Sequence, residues 1–92
     1  MWVSPKEHRV VGAVLAEFRA QARFRQQDLA AKLGKPQSFV SAYESGQRRV
    51  DVLELARIAS AMGLDAREVF AEIVRQHGVA CGAPCQDARN PI

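Results

Sequence analysis

Residues 26–46 have the sequence QQDLAAKLGKPQSFVSAYESG, and this stretch decides the fold because its pattern predicts two short helices joined by a tight turn. In the first half, Leu29, Ala30 and Leu33 fall on one face at helical spacing. Gly34 follows them, and glycine is the residue that most readily leaves a helix at positive φ. We therefore expect the first helix of the pair to end at Gly34.

The second half of the stretch restarts a helix after the turn. Proline is tolerated in a first helical turn, so this helix can begin at Pro36 or Gln37. Val40 and Tyr43 are three residues apart and are expected to point inward together. Gly46 is expected to end this helix in turn.

The outward face of the second helix carries four side chains that are polar or end in a methyl group, namely Gln37, Ser38, Ser41 and Ala42. Glutamine can bond N6 and N7 of adenine together, and serine can donate or accept a hydrogen bond. The alanine methyl can meet the thymine methyl in the major groove. We therefore expect these four residues to contact bases of double-stranded DNA.

Together with positions farther along the chain, this pattern resembles the XRE-type helix-turn-helix family of phage repressors and Cro proteins over residues 10–74. The matching positions are Arg19, Gln26, Leu29-Ala30, Leu33-Gly34, Val40-Ser41, Tyr43-Glu44, Gly46, Leu55, Ile58-Ala59 and Met62-Gly63-Leu64. The resemblance implies a sequence-specific DNA-binding transcriptional regulator that acts as a homodimer on an inverted-repeat operator. The compact forms it resembles are Cro-like repressors, controller proteins of restriction-modification systems and mobile-element regulators. The alternative is an antitoxin or antiactivator whose main role is to bind a protein partner.

The resemblance also assigns roles to single residues. Gln26 is similar to the glutamine that holds a DNA phosphate at the start of the second helix, and Arg19 to the arginine that pairs with Glu44. With neighbouring polar and basic side chains, the expected phosphate-binding set is Gln26, Lys35, Ser45, Arg48 and Arg49. Arg25 and Pro36 depart from the family, in which serine or threonine commonly caps each helix, because neither side chain can accept a hydrogen bond from a backbone N–H.

Charge is concentrated around the motif. The chain has 92 residues and a formal net charge of +3, but residues 19–49 hold seven basic and two acidic residues, which gives +5 there and −2 for the remainder. Such asymmetry is typical of a surface that binds phosphate, although a solvated charged face would explain a smaller excess. The hydrophobic share of 48% is enough for one modest core.

Three helix-start signals occur elsewhere, each a capping residue followed three positions later by glutamate. They are Ser4-x-x-Glu7, Asp51-x-x-Glu54 and Asp65-x-x-Glu68. The core positions expected from helical spacing are Val11, Val14, Leu15, Phe18 and Ala22 in the first helix and Val52, Leu55, Ala59 and Met62 in the fourth. We therefore expect an all-α, compact five-helix helix-turn-helix domain over residues 1–78, followed by an irregular C-terminal tail over residues 79–92.

The fifth helix is the expected source of a dimer interface. Its apolar residues Val69, Phe70, Ile73 and Val74 exceed what one small core can cover. Burial of all four within a single chain is the alternative.

Other functions find little support in the sequence. An apolar run long enough to cross a bilayer is absent, and residues 1–7 do not have the pattern of a signal peptide, so we expect a cytoplasmic protein without membrane contact. Cys81 and Cys85 lack the second pair of ligands that a zinc site needs, and we expect reduced thiols and no metal. Without a nucleophile–base pair or a phosphate loop, the sequence predicts neither catalysis nor a cofactor.

Overall fold

Five α-helices follow one another in the computed structural model, which describes the backbone of residues 5–78 and side chains from residue 7 onward. They are α1 (Pro5–Gln21), α2 (Gln26–Leu33), α3 (Gln37–Glu44), α4 (Val52–Ala61) and α5 (Ala66–His77). Since residues 5–78 contain no strand, the predicted all-α class and five-helix architecture are confirmed. The predicted cap at Ser4 and the predicted tail over residues 79–92 lie outside the described residues, and the domain boundary at residue 78 stays a prediction.

The turn between α2 and α3 has the predicted chemistry. Gly34 is in the left-handed region at φ 69°, and α3 begins at Gln37 with Pro36 as its extended N-cap. At the other end, α3 stops at Glu44, two residues before Gly46, which has φ 84°. Both glycines therefore take the conformation that other residues adopt only with strain.

The helix starts confirm the capping predictions in part. At α4, the Glu54 N–H donates to Asp51 Oδ1 at 2.7 Å and the Asp51 N–H donates to Glu54 Oε1 at 3.1 Å, which completes the predicted capping box. At α5, Asp65 Oδ1 instead accepts from the Arg67 N–H at 2.8 Å. The predicted reciprocal contact from Glu68 is wrong, because Asp65 caps one residue earlier and pairs with the Arg67 guanidinium.

The end of α1 was not anticipated from the sequence. Arg23 lies at φ 65°, the only residue other than glycine with positive φ in the described part. Its N–H donates to Ala20 O at 3.0 Å, and the next N–H, of Phe24, donates to Arg19 O at 3.2 Å. Arg23 thus takes the place that glycine has at the end of α2, at a conformational cost of roughly 1 kcal/mol.

The core lies where α1 packs on α3 and α5, α2 packs on α3 and α4, and α4 packs on α5. Its buried apolar residues are Val14, Leu15, Leu29, Ala30, Val40, Tyr43, Ile58, Ala59, Met62, Val69 and Ile73. The expectation that Val52 lies in the core is wrong, because this residue is 80% exposed. The inward stripe of α4 runs from Leu55 through Ile58 and Ala59 to Met62, and Val52, three residues before Leu55, does not belong to the core.

The apolar face of α5 is divided between the core and the surface. Val69 is 0% and Ile73 8% exposed, whereas Phe70 is 56% exposed. Val74 is half-buried. Val69 therefore has no surface to offer a second chain, because the other helices of its own chain already cover it, and Phe70 is the most exposed of the four residues predicted for a dimer interface.

Gly12 lies at the crossing of α1 and the C-terminal end of α3. A Cβ at this position would lie 2.2 Å from Tyr43 O and 2.6 Å from Glu44 O. Gly46 is similarly close to α1, with Arg9 Cγ 2.5 Å from where its Cβ would lie. The two helices therefore approach backbone to backbone, and the sequence pattern gave no indication of this contact.

Gly12→Ala should destabilise the protein by about 2 kcal/mol or more, although alanine is the better helix former. The added methyl group would lie 2.2 Å from a backbone oxygen. The cost of overpacking should therefore reach the upper end of its usual range of about 1–3 kcal/mol and exceed the gain of about 1 kcal/mol from helix propensity. Urea unfolding measures the effect. The control is Ala13→Gly at the exposed neighbouring position, where propensity alone should act. A more stable Gly12→Ala variant would contradict the close contact.

Candidate nucleic-acid interface

One side of α3 is held in the core and the other is open to solvent. Val40 and Tyr43 are fully buried. On the opposite side, Gln37, Ser38 and Ser41 are exposed, and Ala42 is half-buried beside them. The structure therefore brings the four predicted base-contacting residues together on one surface of a single short helix, as spacings of three and four residues require.

A series of hydrogen bonds joins this surface to the end of α3. Gln26 Nε2 donates to Glu44 Oε1 at 2.9 Å, and Gln37 Nε2 donates to Gln26 Oε1 at 3.1 Å. We call this series, Glu44 to Gln26 to Gln37, the hydrogen-bond relay. It links α2 to both ends of α3.

The relay has a fixed direction because a carboxylate only accepts hydrogen bonds. Gln26 must turn its amino group toward Glu44 and its oxygen toward Gln37, and Gln37 must then donate. One N–H and the Oε1 of Gln37 remain outside the relay. A donor beside an acceptor is what N7 and N6 of adenine require, which agrees with the prediction that Gln37 contacts a base.

Arg19 anchors the relay from α1. Its Nε donates to Glu44 Oε2 at 2.7 Å and its Nη2 to Glu44 Oε1 at 3.1 Å, while Nη1 donates to Phe24 O at 2.8 Å. The side chains of Arg19 and Glu44 are 19% and 7% exposed, so the pair lies mostly out of water. The hydrogen bond to Glu44 is the main cause that raises the pKa of Arg19.

Tyr43 supports α3 from beneath. Its ring meets that of Phe39 edge to face, with centroids 5.6 Å apart. The hydroxyl is buried and has no hydrogen-bond partner in the described part of the chain. Burial is the main cause that raises the pKa of Tyr43 well above its ordinary value. Tyr43 therefore belongs to the core and takes no part in contacts with bases.

The residues expected to bind phosphate differ in how free their side chains are. Lys35 and Arg49 are exposed, and the Lys35 ammonium lies 5.5 Å from the Phe39 ring centroid. Among residues 5–78, the Arg49 side chain has no ion-pair or hydrogen-bond partner. The Ser45 hydroxyl donates to Ala42 O at 3.1 Å. Because that hydroxyl has one hydrogen, Ser45 would have to give up this bond in order to donate to phosphate.

Arg48 is bonded to other parts of the protein, although its side chain is 38% exposed. Its Nη1 donates to Glu54 Oε1 at 2.9 Å and its Nη2 to Glu54 Oε2 at 2.6 Å. Nη1 also donates to Arg49 O at 2.7 Å, and the guanidinium lies 4.5 Å from the Phe39 ring centroid. Arg48 therefore ties the α3–α4 loop to α4, and its role as a phosphate ligand stays a prediction.

The Arg48 contact dominates the electrostatics of Glu54. The hydrogen bond from Arg48 is the main cause that lowers the pKa of Glu54 to about 2, with a further contribution from the Asp51 N–H. The carboxylate therefore stays ionised at every pH at which DNA is a duplex in ordinary buffers.

Other site types are not found in the described part of the chain. Residues 5–78 contain no group of three or more His, Cys, Asp or Glu side chains that could hold a metal ion. None of the described helices is both long and apolar enough to cross a membrane. His77 Nε2 lies 3.1 Å from Glu7 Oε2 and joins α5 to α1. Cys81 and Cys85 lie outside the described residues.

Comparison with known protein families identifies a helix-turn-helix protein. A family model described as Helix-turn-helix matches residues 15–69, more than half of the chain. No curated protein matches the chain at a significant level.

Solved structures with the same fold include two kinds of protein. An XRE-family like protein from Pseudomonas syringae pv. tomato str. DC3000 is 34% identical, with a TM-score of 0.69 over 77% of this chain and 87% of that one. The clp gene regulator ClgR from Corynebacterium glutamicum is 25% identical, with a TM-score of 0.73 over 79% of this chain and 95% of that one. A second ClgR structure, at 22% identity, covers 94% of this chain with a TM-score of 0.67 and shows the fold alone.

Glu54→Gln should lower the free energy of unfolding at pH 7, because a neutral amide cannot pair with Arg48 as a carboxylate does. Folding lowers the pKa of this carboxyl, so its ionised form stabilises the protein fully at any pH above the pKa that the group has in the unfolded chain. This stabilisation is lost as the pH falls through the lower pKa that the group has in the folded protein. With a folded pKa of about 2 instead of 4.5, the difference between wild type and variant should shrink from about pH 4.5 down to about pH 2. Urea titrations at several pH values measure it. A difference that stays constant over this range would contradict an ionic contribution.

Gln26→Met should weaken base preference at one position of a bound DNA site and leave the fold intact. Methionine has a similar length but cannot bond Glu44 or Gln37, so Gln37 loses its orientation. Sites selected from a random duplex library identify the relevant position as the one whose preference Gln37→Ala removes. There, Gln26→Met should reduce discrimination by roughly 1 kcal/mol, or about fivefold, while other positions keep theirs.

Gln27→Met is the matched control, since Gln27 is an exposed neighbour outside the relay. An equal loss of preference at every position would mean that Gln26 supports only the placement of α3. Unchanged preference at the Gln37 position would show that the relay does not contribute to recognition of that base.

Proposed function

The chain belongs to the XRE-type helix-turn-helix family and is a DNA-binding transcriptional regulator, and we propose that it binds an inverted-repeat operator as a homodimer. Within the family we place it with the compact regulators of Cro-like, controller-protein or mobile-element type. The proposal assigns it to the cytoplasm, to double-stranded DNA as its ligand, and to a function without catalysis or cofactor.

The observation that carries the proposal is the exposed face of α3 with its oriented glutamine. Gln37, Ser38 and Ser41 form a polar surface on a helix whose other side is fixed in the core. Lys35 and Arg49, close before and after α3 in the chain, supply exposed positive charge for phosphates. Sequence-specific binding requires both contacts that specify a base and contacts that position the protein on the DNA backbone. In this proposal, the α3 residues supply the former, and Lys35 and Arg49 supply the latter.

We infer a homodimer because the exposed face of α3 is too small to select a DNA site alone. An eight-residue helix reaches only a few base pairs, and one domain of this kind makes too few contacts to select a site. Two copies related by a two-fold axis place their α3 helices about 34 Å apart, one turn of the duplex. The operator should therefore consist of two inverted half-sites centred about 10 base pairs apart. The similarity to ClgR, which is described as the clp gene regulator, supports a role in gene regulation.

Variants of single residues should separate base reading from phosphate contact. Gln37→Ala should relax preference at one symmetric pair of positions by roughly 1–3 kcal/mol each, because it removes a base contact. Arg49→Ala should weaken binding to all sequences alike and reduce the salt slope by about 1, because it removes a phosphate contact. Binding to a selected operator and to scrambled DNA over a salt series measures both effects.

Arg48→Ala is the matched control for Arg49→Ala, since the Arg48 guanidinium is bonded to Glu54. It should lower the melting temperature and change the salt slope less than Arg49→Ala does. Equal loss of affinity by Gln37→Ala on operator and scrambled DNA would contradict the proposed reading face. Failure of the wild type to select any site would contradict the proposed function.

A further inference from the structure

Two positively charged side chains lie at the edge of the exposed face of α3. Phe39 is half-buried on this helix, between the exposed Ser38 and the buried Val40. The ring of Phe39 is in contact with two cations, since the Arg48 guanidinium lies 4.5 Å and the Lys35 ammonium 5.5 Å from its centroid. One aromatic ring therefore holds two cations beside the surface that is predicted to contact bases.

A third cation lies close to the same ring. Phe39 and Lys35 line a small notch between α2, α3 and α4, together with Glu54 and Arg57 of α4. The side chain of Arg57 is exposed. Among the described residues, Glu54 is the only acidic one that lines this notch. A single carboxylate thus lies in a group of cations next to α3.

The Glu54 carboxylate is fixed in this position. Its two oxygens accept from Nη1 and Nη2 of Arg48 at 2.9 and 2.6 Å, and Oε1 also accepts the Asp51 N–H at 3.1 Å. The charge of Lys35 acts on the same group, because it contributes to lowering the pKa of Glu54 to about 2. Glu54 therefore offsets positive charge on both sides of the Phe39 ring.

We propose that Glu54 is a counter-charge that limits the affinity of the protein for DNA phosphates, and that Arg48 is the phosphate ligand whose charge it offsets. This inference rests on the proposed contact of α3 with DNA and names the residue that sets its electrostatic strength. A guanidinium binds carboxylate and phosphate with the same forked geometry. A phosphate beside α3 therefore competes with Glu54 for Arg48 and is repelled by the carboxylate.

Arg48 can reach a phosphate without leaving its place in the fold. A guanidinium has five N–H groups, and three hydrogen bonds are formed here, two to Glu54 and one to Arg49 O. The side chain of Arg48 is 38% exposed. The remaining N–H groups are open to an incoming oxygen, so what Arg48 lacks is uncompensated charge rather than access.

A purely structural role for Glu54 predicts a different result. If the ion pair only holds the α3–α4 loop on α4, removing the carboxylate should loosen the loop and leave DNA affinity unchanged or lower it. If Glu54 also acts as a counter-charge, removing it should raise DNA affinity in spite of the lost stability. The sign of the change in affinity therefore separates the two roles.

Glu54→Gln tests the proposal through binding to a selected operator and to scrambled DNA over a salt series. Glutamine also serves at this position of a capping box, so the start of α4 is kept. Circular dichroism at 10 °C checks that the variant is folded. The salt slope should steepen by about 0.9 for each bound copy, and affinity for both DNAs should rise roughly five- to tenfold at 0.1 M salt. Base preference at the Gln37 position should stay as in the wild type.

Three further variants isolate the cause. Asp65→Asn removes another carboxylate that pairs with an arginine, but on α5 and outside the notch, and should change affinity less than about twofold. Glu54→Asp shortens the side chain and keeps its charge, so its salt slope should stay close to that of the wild type. In the double variant of Glu54→Gln with Arg48→Ala, the salt slope should return to the wild-type value, because the released cation is gone.

Each of three results would overturn the inference. The first is a folded Glu54→Gln variant whose affinity for scrambled DNA is unchanged or lower. The second is an equal gain by Asp65→Asn, which would assign the effect to net charge alone. The third is a steeper salt slope that persists after Arg48→Ala, which would exclude Arg48 as the released ligand.

Failure of this inference is distinguishable from failure of the proposed function. If only the counter-charge is wrong, the wild type still selects a DNA site and Gln37→Ala still changes its preference. If the wild type selects no site, the proposed function fails, whereas the effect of Glu54→Gln on binding to scrambled DNA is measured independently of any operator.

Discussion

The close crossing of α1 and the C-terminal end of α3 is the constraint on which the rest of the structure depends. With Gly12 at the crossing, the carbonyl groups of Tyr43 and Glu44 lie closer to α1 than any side chain would allow. This places the Glu44 carboxylate, 7% exposed, beside Arg19 on α1. A carboxylate so far out of water is stable only with a well-placed positive partner, and the bidentate contact with Arg19 supplies one. The same carboxylate then orients Gln26 and, through it, Gln37.

Most of the arginines in residues 19–49 pair with acidic side chains of the protein itself. Arg19 neutralises Glu44, Arg48 neutralises Glu54, and Arg25 lies 3.3 Å from Asp28. The excess of positive charge in residues 19–49 is therefore a poor measure of the charge offered to DNA. Lys35 and Arg49 are exposed and better placed to contact phosphate. We therefore expect a few oriented polar groups to supply the specificity of this regulator, and a modest electrostatic attraction to bring it to DNA.

The apolar surface is also divided between two roles. Along α5, Val69 and Ile73 complete the core, while Phe70 lines an apolar groove between α1, α4 and α5 together with Val52 of α4. A small domain buries a limited fraction of its surface and has little apolar area to spare. None of the residues that line the groove belongs to α2 or α3, so the exposed face of α3 lies apart from it.

The sequence by itself determined the five helices and several of their limits, because these depend on local chemistry. Gly34 ends α2, the Asp51 and Glu54 side chains start α4, and helical spacing selects Val40 and Tyr43 for the core. It did not reveal Arg23 at positive φ, where no glycine marks the end of α1. Nor did it reveal the close contact at Gly12, which is set by how α1 lies against α3.

Only the tertiary structure decided which of two chemically similar residues has an exposed side chain without a partner inside the described part of the chain. Arg48 and Arg49 are neighbours in sequence, yet Glu54 pairs with Arg48, whose side chain is 38% exposed, while Arg49 is exposed. Phe70 and Val69 likewise have the same apolar character and opposite exposure. The physical reason is that packing decides which groups come close to a side chain. For Arg48 the group is Glu54, six residues farther along the chain on α4, and Val69 is covered by the core of the domain.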